Sequence, residues 1–254
     1  MMFNHGDMSQ YERMISIDRN YVLSLPTANE FNQYLDAALA NHEISKDDWY
    51  ELNNLYFTKL YLSTDNPRAQ SGHGGDEAHY RFSQMILLEA VHKDGTFLDV
   101  GCANGHLMEM LHKWGTGIGF DLQMYGLEIS QGLLDLAKKR LPHWQDRFFL
   151  GNSFYWKPEL KFDYIHVGGF GQVPEDDRRL FFEHLMDYYL VDGGRMIIGP
   201  YWRDISNDSD YRILDSRNLT EKLIHDFGLT PTGYVEKTHY SNTTRLRKAI
   251  WFDK

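Results

Sequence analysis

One stretch constrains this chain more than any other. From Phe97 it reads Phe-Leu-Asp-Val-Gly-Cys-Ala-Asn-Gly-His-Leu-Met. A short apolar strand, Thr96–Val100, runs straight into a glycine turn, and a helix begins at His106. Gly101 permits a sharp backbone turn with no Cβ between chain and ligand, and Gly105 does the same where the helix begins. Asn104 can supply local hydrogen bonds, and the first helical N–H groups face outward. A strand–turn–helix of this kind belongs in an open α/β sheet, where ligands sit at the carboxyl ends of the strands.

The rest of the chain fits that setting. Helical spacing covers about Asp76–His92, His106–Trp114, Gln131–Arg140, Arg178–Tyr189 and Leu219–Phe227. Strands are expected at Met124–Leu127, Arg147–Leu150, Phe162–Val167 and Gly194–Ile198, and a final antiparallel pair near Gly233–Thr238 and Arg245–Phe252. Strands alternating with helices imply a mostly parallel sheet covered on both faces. Two helices, Thr27–Asn41 and one starting at Ser45, precede the glycine-rich stretch Ser71–Gly75. Residues 1–70 are therefore expected to form a helical cap or lid, and residues 71–254 the ligand-binding domain.

The glycine pattern discriminates between ligands. A dinucleotide fingerprint wants glycine at 101, 103 and 106, and this chain has Gly101, Ala103 and His106. A pyrophosphate is disfavoured, and a nucleoside without phosphate is favoured. Asp99 could meet an ammonium directly or through water.

These segments resemble class I S-adenosylmethionine-dependent methyltransferases. Leu98-Asp-Val-Gly-Cys-Ala-Asn-Gly105 is similar to the first motif of that family. Tyr125-Gly-Leu-Glu-Ile-Ser130 resembles the second strand, Phe149-Leu-Gly-Asn-Ser-Phe154 the adenine segment, Phe162–Val167 the fourth strand and Val191–Ile198 the fifth. With Ser71–Glu77 and Leu141-Pro-His-Trp144, the chain is similar to a bacterial group of such enzymes. The resemblance implies S-adenosylmethionine as cofactor and a Rossmann-like sheet of order 3-2-1-4-5-7-6 with its last strand antiparallel. It implies a cofactor set of Asp99, Gly101, Cys102, Ala103, Asn104, Gly105, Glu128, Ile129, Asn152 and Ser153. Glu128 would bind the ribose hydroxyls, and Asn152 and Ser153 the adenine. A binding module without turnover, or an NAD-dependent enzyme, are the competing readings.

Outside that set the residues allow two readings each. His166 ends a buried strand, as a general base or as a hydrogen-bonded core histidine. His73 is a substrate contact or a solvated loop residue, and Tyr201 and Trp202 are substrate walls or packing. Cys102, the single cysteine, reads as a small packed residue. Asp76, Glu77 and His79 lack companions at ligand spacing, so no metal site is expected.

The net charge of −10 disfavours a nucleic-acid partner. Arg245 and Arg247 alternate and read as one exposed strand face. No Asn/Asp-Pro-Pro-aromatic signature or Pro-Cys pair follows the fourth strand, which favours a small-molecule acceptor. Neither a membrane span nor a signal peptide is expected, so a cytoplasmic location follows by default. A homodimer is left open.

Overall fold

The computed structural model describes residues 17–204 and 224–254. The chain divides into two compact units, Met1–Phe57 and Thr58–Lys254. The division falls before the glycine-rich stretch, so residues 58–70 group with the sheet rather than with the preceding helices.

The first unit contains α1 (Arg19–Val22), α2 (Ala28–Ala40) and most of α3 (Lys46–Leu62). Thr27 caps α2 by accepting from the Glu30 amide, and its hydroxyl donates to the Glu30 carboxylate at 2.7 Å. Ser45 and Asp48 cap α3 reciprocally. Phe31, Leu35 and Ala38 pack with Trp49, Leu52 and Tyr56, and the Phe31 and Tyr56 rings stack at 3.9 Å. The Trp49 indole N–H donates to Asp36 at 3.0 Å, which satisfies its one polar atom.

The second unit runs α4 (Glu77–Gln84), β1 (Gly95–Val100), α5 (His106–Gly117), β2 (Leu122–Glu128), α6 (Gln131–Arg140), β3 (Phe148–Leu150), β4 (Phe162–Val167), α7 (Arg178–His184), β5 (Leu190–Asp204), β6 (Gly233–His239) and β7 (Asn242–Asp253). The seven strands lie in the order β3-β2-β1-β4-β5-β7-β6. β1 to β5 pair in parallel, while β7 runs antiparallel to β5 and β6. This is the expected order and the expected reversed strand. Alternation sends Phe97, Met124, Tyr164 and Ile197 to a core shared with α5 and α6. Leu98, Leu127, Ile165 and Met196 go to the opposite core, with Phe181 and Phe182 of α7.

Two expected helices change pitch at their ends. α4 gives way to a 3₁₀ segment, Met85–Ala90, and α7 to a π turn, Leu185–Tyr189. Ile86, Leu87, Leu88 and Ala90 are all buried, and one stripe of an α-helix cannot bury three consecutive side chains. β5 is longer than the expected Gly194–Ile198 because the Asp192–Gly194 turn lies within it. There the register with β4 shifts, and Gly193 takes φ +77°. Of the expected helix Leu219–Phe227, residues 219–223 lie outside the described residues, and 224–226 are helical. No helix among the described residues is long and apolar enough to cross a membrane.

Candidate functional site

The turn after β1 is built from left-handed residues. Gly101, Ala103 and Gly105 have φ of +78°, +48° and +73°. A Cβ on Gly105 would stand 2.9 Å from Leu141 Cδ1, so glycine is needed there for packing. At Gly101 a Cβ would meet nothing within 4 Å, so that backbone faces open space. Asn104 is fully buried; its Nδ2 donates to Pro67 O at 2.8 Å and Gln70 Oε1 at 3.2 Å. Its Oδ1 accepts from the His106 amide at 3.1 Å. Residues 58–70 thus support the turn directly.

Glu128, the last residue of β2, is 6% exposed. Its Oε2 accepts from the Ala103 amide at 2.8 Å and its Oε1 from the Ser130 amide at 2.9 Å. Burial pushes its pKa up, and the Ser130, Ala103 and Ile129 amides hold it back. A carboxylate offers about four lone-pair directions, so the group keeps acceptor capacity after these bonds. Tyr61, which no sequence motif singles out, has its pKa raised to about 12 by burial and then by Glu128. Thr58 Oγ1 donates to Ser130 Oγ at 2.7 Å. Cys102 is buried, and burial, then Glu128 and Asp99, push its thiol pKa up; its Sγ packs over Gly126, where a Cβ would come within 2.6 Å. Ile129 is 37% exposed. Beyond β3, Asn152 Oδ1 accepts from the Phe154 amide at 2.9 Å, and Ser153 O accepts from the Tyr189 hydroxyl at 2.7 Å.

Asp99 and His166 are opposite one another on β1 and β4 and are 2% and 4% exposed. Asp99 Oδ1 lies 2.6 Å from His166 Nδ1, and Gly199 O of β5 lies 2.6 Å from His166 Nε2. A carbonyl only accepts, so Nε2 carries a hydrogen, and a second proton is shared with the carboxylate. In this arrangement His166 has no free lone pair for a substrate proton.

His73 and Trp202 come together in a cavity of about 260 Å³, with His79, Tyr80, Ser83 and Arg247. Tyr201 does not line it; strand alternation turns that residue into the core on the other face, at 6% exposure. His73 Nδ1 faces Ser71 O at 2.8 Å, which makes Nδ1 the donor and leaves the lone pair on Nε2. Burial and then the Arg247 charge push the pKa of His73 down to about 4, so the ring is neutral at neutral pH. Arg247 corrects an expectation. It shares the Arg245 face, since both guanidiniums lie over the Trp202 ring, at 4.8 and 5.0 Å. That face is not an exposed one, because Arg247 is only 6% exposed. Arg247 Nε donates to Ser83 O at 3.3 Å, so the α4 backbone covers it.

Residues 97–194 match a family model described as a methyltransferase domain. No curated protein matches the chain by sequence. Among solved structures, the chain is similar to the N-methyltransferase NodS from Bradyrhizobium japonicum WM9, in complex with S-adenosyl-L-homocysteine. That match has a TM-score of 0.55 and 13% identity, and covers 80% of this chain and 98% of NodS. It is also similar to 1,6-didemethyltoxoflavin-N1-methyltransferase from Burkholderia thailandensis, with TM-score 0.55, 13% identity and coverage of 83% and 90%. Geranyl diphosphate methyltransferase gives a TM-score of 0.50 at 14% identity, covering 79% and 98%. At such identities the structures show a shared fold. The strand order, the glycine turn and the match over 97–194 agree: residues 97–194 match a methyltransferase domain, set in a sheet with the Rossmann-like methyltransferase order.

Proposed function

We propose that the protein transfers a methyl group from S-adenosylmethionine to a small-molecule acceptor. The supporting observation is the pairing of Glu128 with the turn: its carboxylate is fixed by the Ala103 amide, beside a Gly101 that faces open space. These residues fit the cofactor. Glu128 keeps acceptor capacity for the ribose hydroxyls, and Gly101 admits the nucleoside against bare backbone. Asn152 and Ser153, at the end of β3, are the adenine contacts, and Cys102, Ala103, Asn104, Gly105 and Ile129 shape the walls. Among the described residues nothing donates to Asp99 Oδ2, which remains for the ammonium, directly or through water.

When bound, S-adenosylmethionine supplies an activated methyl on a sulfonium. The chain's own task is to hold acceptor and donor in line and to exclude water. Alignment at ~3–3.5 Å can lower a barrier by roughly 7–11 kcal/mol in favourable cases. His166, held on both nitrogens, positions Asp99. Where the acceptor must lose a proton, His73 Nε2 is the available lone pair. The protein works in the cytosol.

Calorimetry with S-adenosylmethionine, S-adenosylhomocysteine and NAD tests the cofactor; binding of NAD alone would overturn the reading. Incubation with methyl-labelled donor and a metabolite extract, read by mass spectrometry, tests turnover. A labelled small molecule is the expected product, and binding without any labelled product would make the protein a non-catalytic module.

A further inference from the structure

Arg247 is a buried cation whose hydrogen-bonding capacity is largely unused. A guanidinium has five N–H donors, and the Nε donor is given to Ser83 O. Among the described residues no oxygen accepts from Nη1 or Nη2, and no carboxylate lies within ion-pair distance. The Trp202 ring lies 4.8 Å from the guanidinium carbon, which stabilises the charge from one side but accepts none of its edge donors. Burial and then the neighbouring Arg245 push the pKa of Arg247 down to about 9, so it stays charged at neutral pH. A desolvated charge is costly to leave unanswered, yet this one lines an open cavity of about 260 Å³.

The cavity also adjoins the chemistry. His73 on its wall feels Arg247, His166 and Asp99. The His73 ring stands 5.3 Å from Tyr80, and Tyr80 stands 4.9 Å from His106, the first residue after the glycine turn. Tyr80 itself lines the cavity, so one ring contact links the cavity to the proposed cofactor turn.

We propose that this cavity binds a carboxylate of the methyl acceptor, with Arg247 as its bidentate anchor and Trp202 and His79 as flat walls. The inference rests on the methyltransferase reading and names the substrate class for it: a small, planar carboxylic acid. The fork geometry of arginine matches a carboxylate or a phosphate. The charge balance favours the carboxylate. Arg247 is the one arginine or lysine lining the cavity among the described residues, and one permanent charge matches a monoanion better than a dianion. His79 and Trp202 rings lie 28° from parallel with centroids 5.8 Å apart, a surface suited to a planar body.

The test uses the full chain and benzoate as probe, titrated calorimetrically at neutral pH and low salt, with and without S-adenosylhomocysteine. Benzamide, which has the same shape without the charge, and inorganic phosphate are the comparison ligands. Benzoate is expected to bind more tightly than either. Arg247→Met should weaken benzoate by about 10- to 100-fold, the usual size of a lost hydrogen bond to a charged group, while leaving S-adenosylhomocysteine affinity unchanged. Trp202→Leu, on the half-exposed wall, should also weaken benzoate and locates the probe if Arg247→Met does not fold. Benzamide binding as tightly as benzoate, phosphate binding more tightly, or either variant leaving benzoate affinity intact would overturn the proposal. Failure of the unaltered chain to bind S-adenosylhomocysteine would instead strike the methyltransferase reading, with the benzoate comparison still deciding the cavity.

Discussion

His73 carries a proton differently in the folded and unfolded chain, and this has a sign. Its folded pKa is lowered from its ordinary value of 6.5 to about 4, by burial first. Between those values the unfolded chain binds the extra proton, so stability rises with pH across that window and falls as the solution is acidified. The shift corresponds to roughly 3 kcal/mol. His106 and His184 are lowered by burial as well and add in the same direction. His73→Gln should flatten the slope of unfolding free energy against pH between about 4 and 6.5 without abolishing it; denaturant melts across that range check this, and an unchanged slope would refute it. Glu128 is the second residue with a measurable consequence. Glu128→Gln keeps the shape but turns a two-oxygen acceptor into an amide, and affinity for S-adenosylmethionine should fall about 10- to 100-fold by calorimetry. The place of Glu128 beside the turn was legible because an acid at the end of an apolar strand is a local pattern. Arg247 was misread because alternation on a strand reports which residues share a face, not what covers that face. The cover here is the Ser83 carbonyl, 164 residues away.

At the scale of elements, the turn between β1 and α5 is where local sequence and the proposed cofactor site coincide. Gly101 has φ +78° with open space around it, and Gly105 has φ +73° with Leu141 packed close. An L-residue in the left-handed region costs roughly 1–2 kcal/mol. Gly101→Ala should therefore destabilise by about that amount, and its methyl would fill the space assigned to the nucleoside. The expected outcome is a lower melting temperature together with weakened S-adenosylhomocysteine binding. A stable variant with full affinity would remove the turn from the cofactor site. The strand cores were legible from their apolar runs, and Phe162–Val167 and Gln131–Arg140 agree to the residue. Pitch changes were not, because the 3₁₀ segment Met85–Ala90 is dictated by burial on several sides, which no helical period encodes. The length of β5 was hidden for a related reason: Asp192-Gly-Gly194 has turn composition, yet β4 pairs on both sides of it and β7 pairs from Arg195 onward.

The molecule as a whole is a sheet whose carboxyl edge is held together by a buried polar bridge. Asp99 on β1, His166 on β4 and Gly199 on β5 join three neighbouring strands at the end where the ligand is expected. The strand order was readable from βαβ alternation plus the closing hairpin, whereas the bridge was not, since its members are 67 and 33 residues apart. Its energetics follow from burial. Removing one partner of a buried pair leaves an uncompensated charge and typically costs about 3–5 kcal/mol, while replacing both by apolar groups is often near neutral. His166→Leu should thus destabilise the chain by that amount in denaturant unfolding at neutral pH. Adding Asp99→Leu should recover most of the loss, because no carboxylate then remains buried alone. Loss of turnover in the single variant would follow from the loosened edge, not from a missing base. The pH profile separates the two: a missing base changes its acid limb, and a loosened edge scales it down uniformly. Equal destabilisation in the single and double variants would show that the bridge contributes packing and no electrostatic coupling.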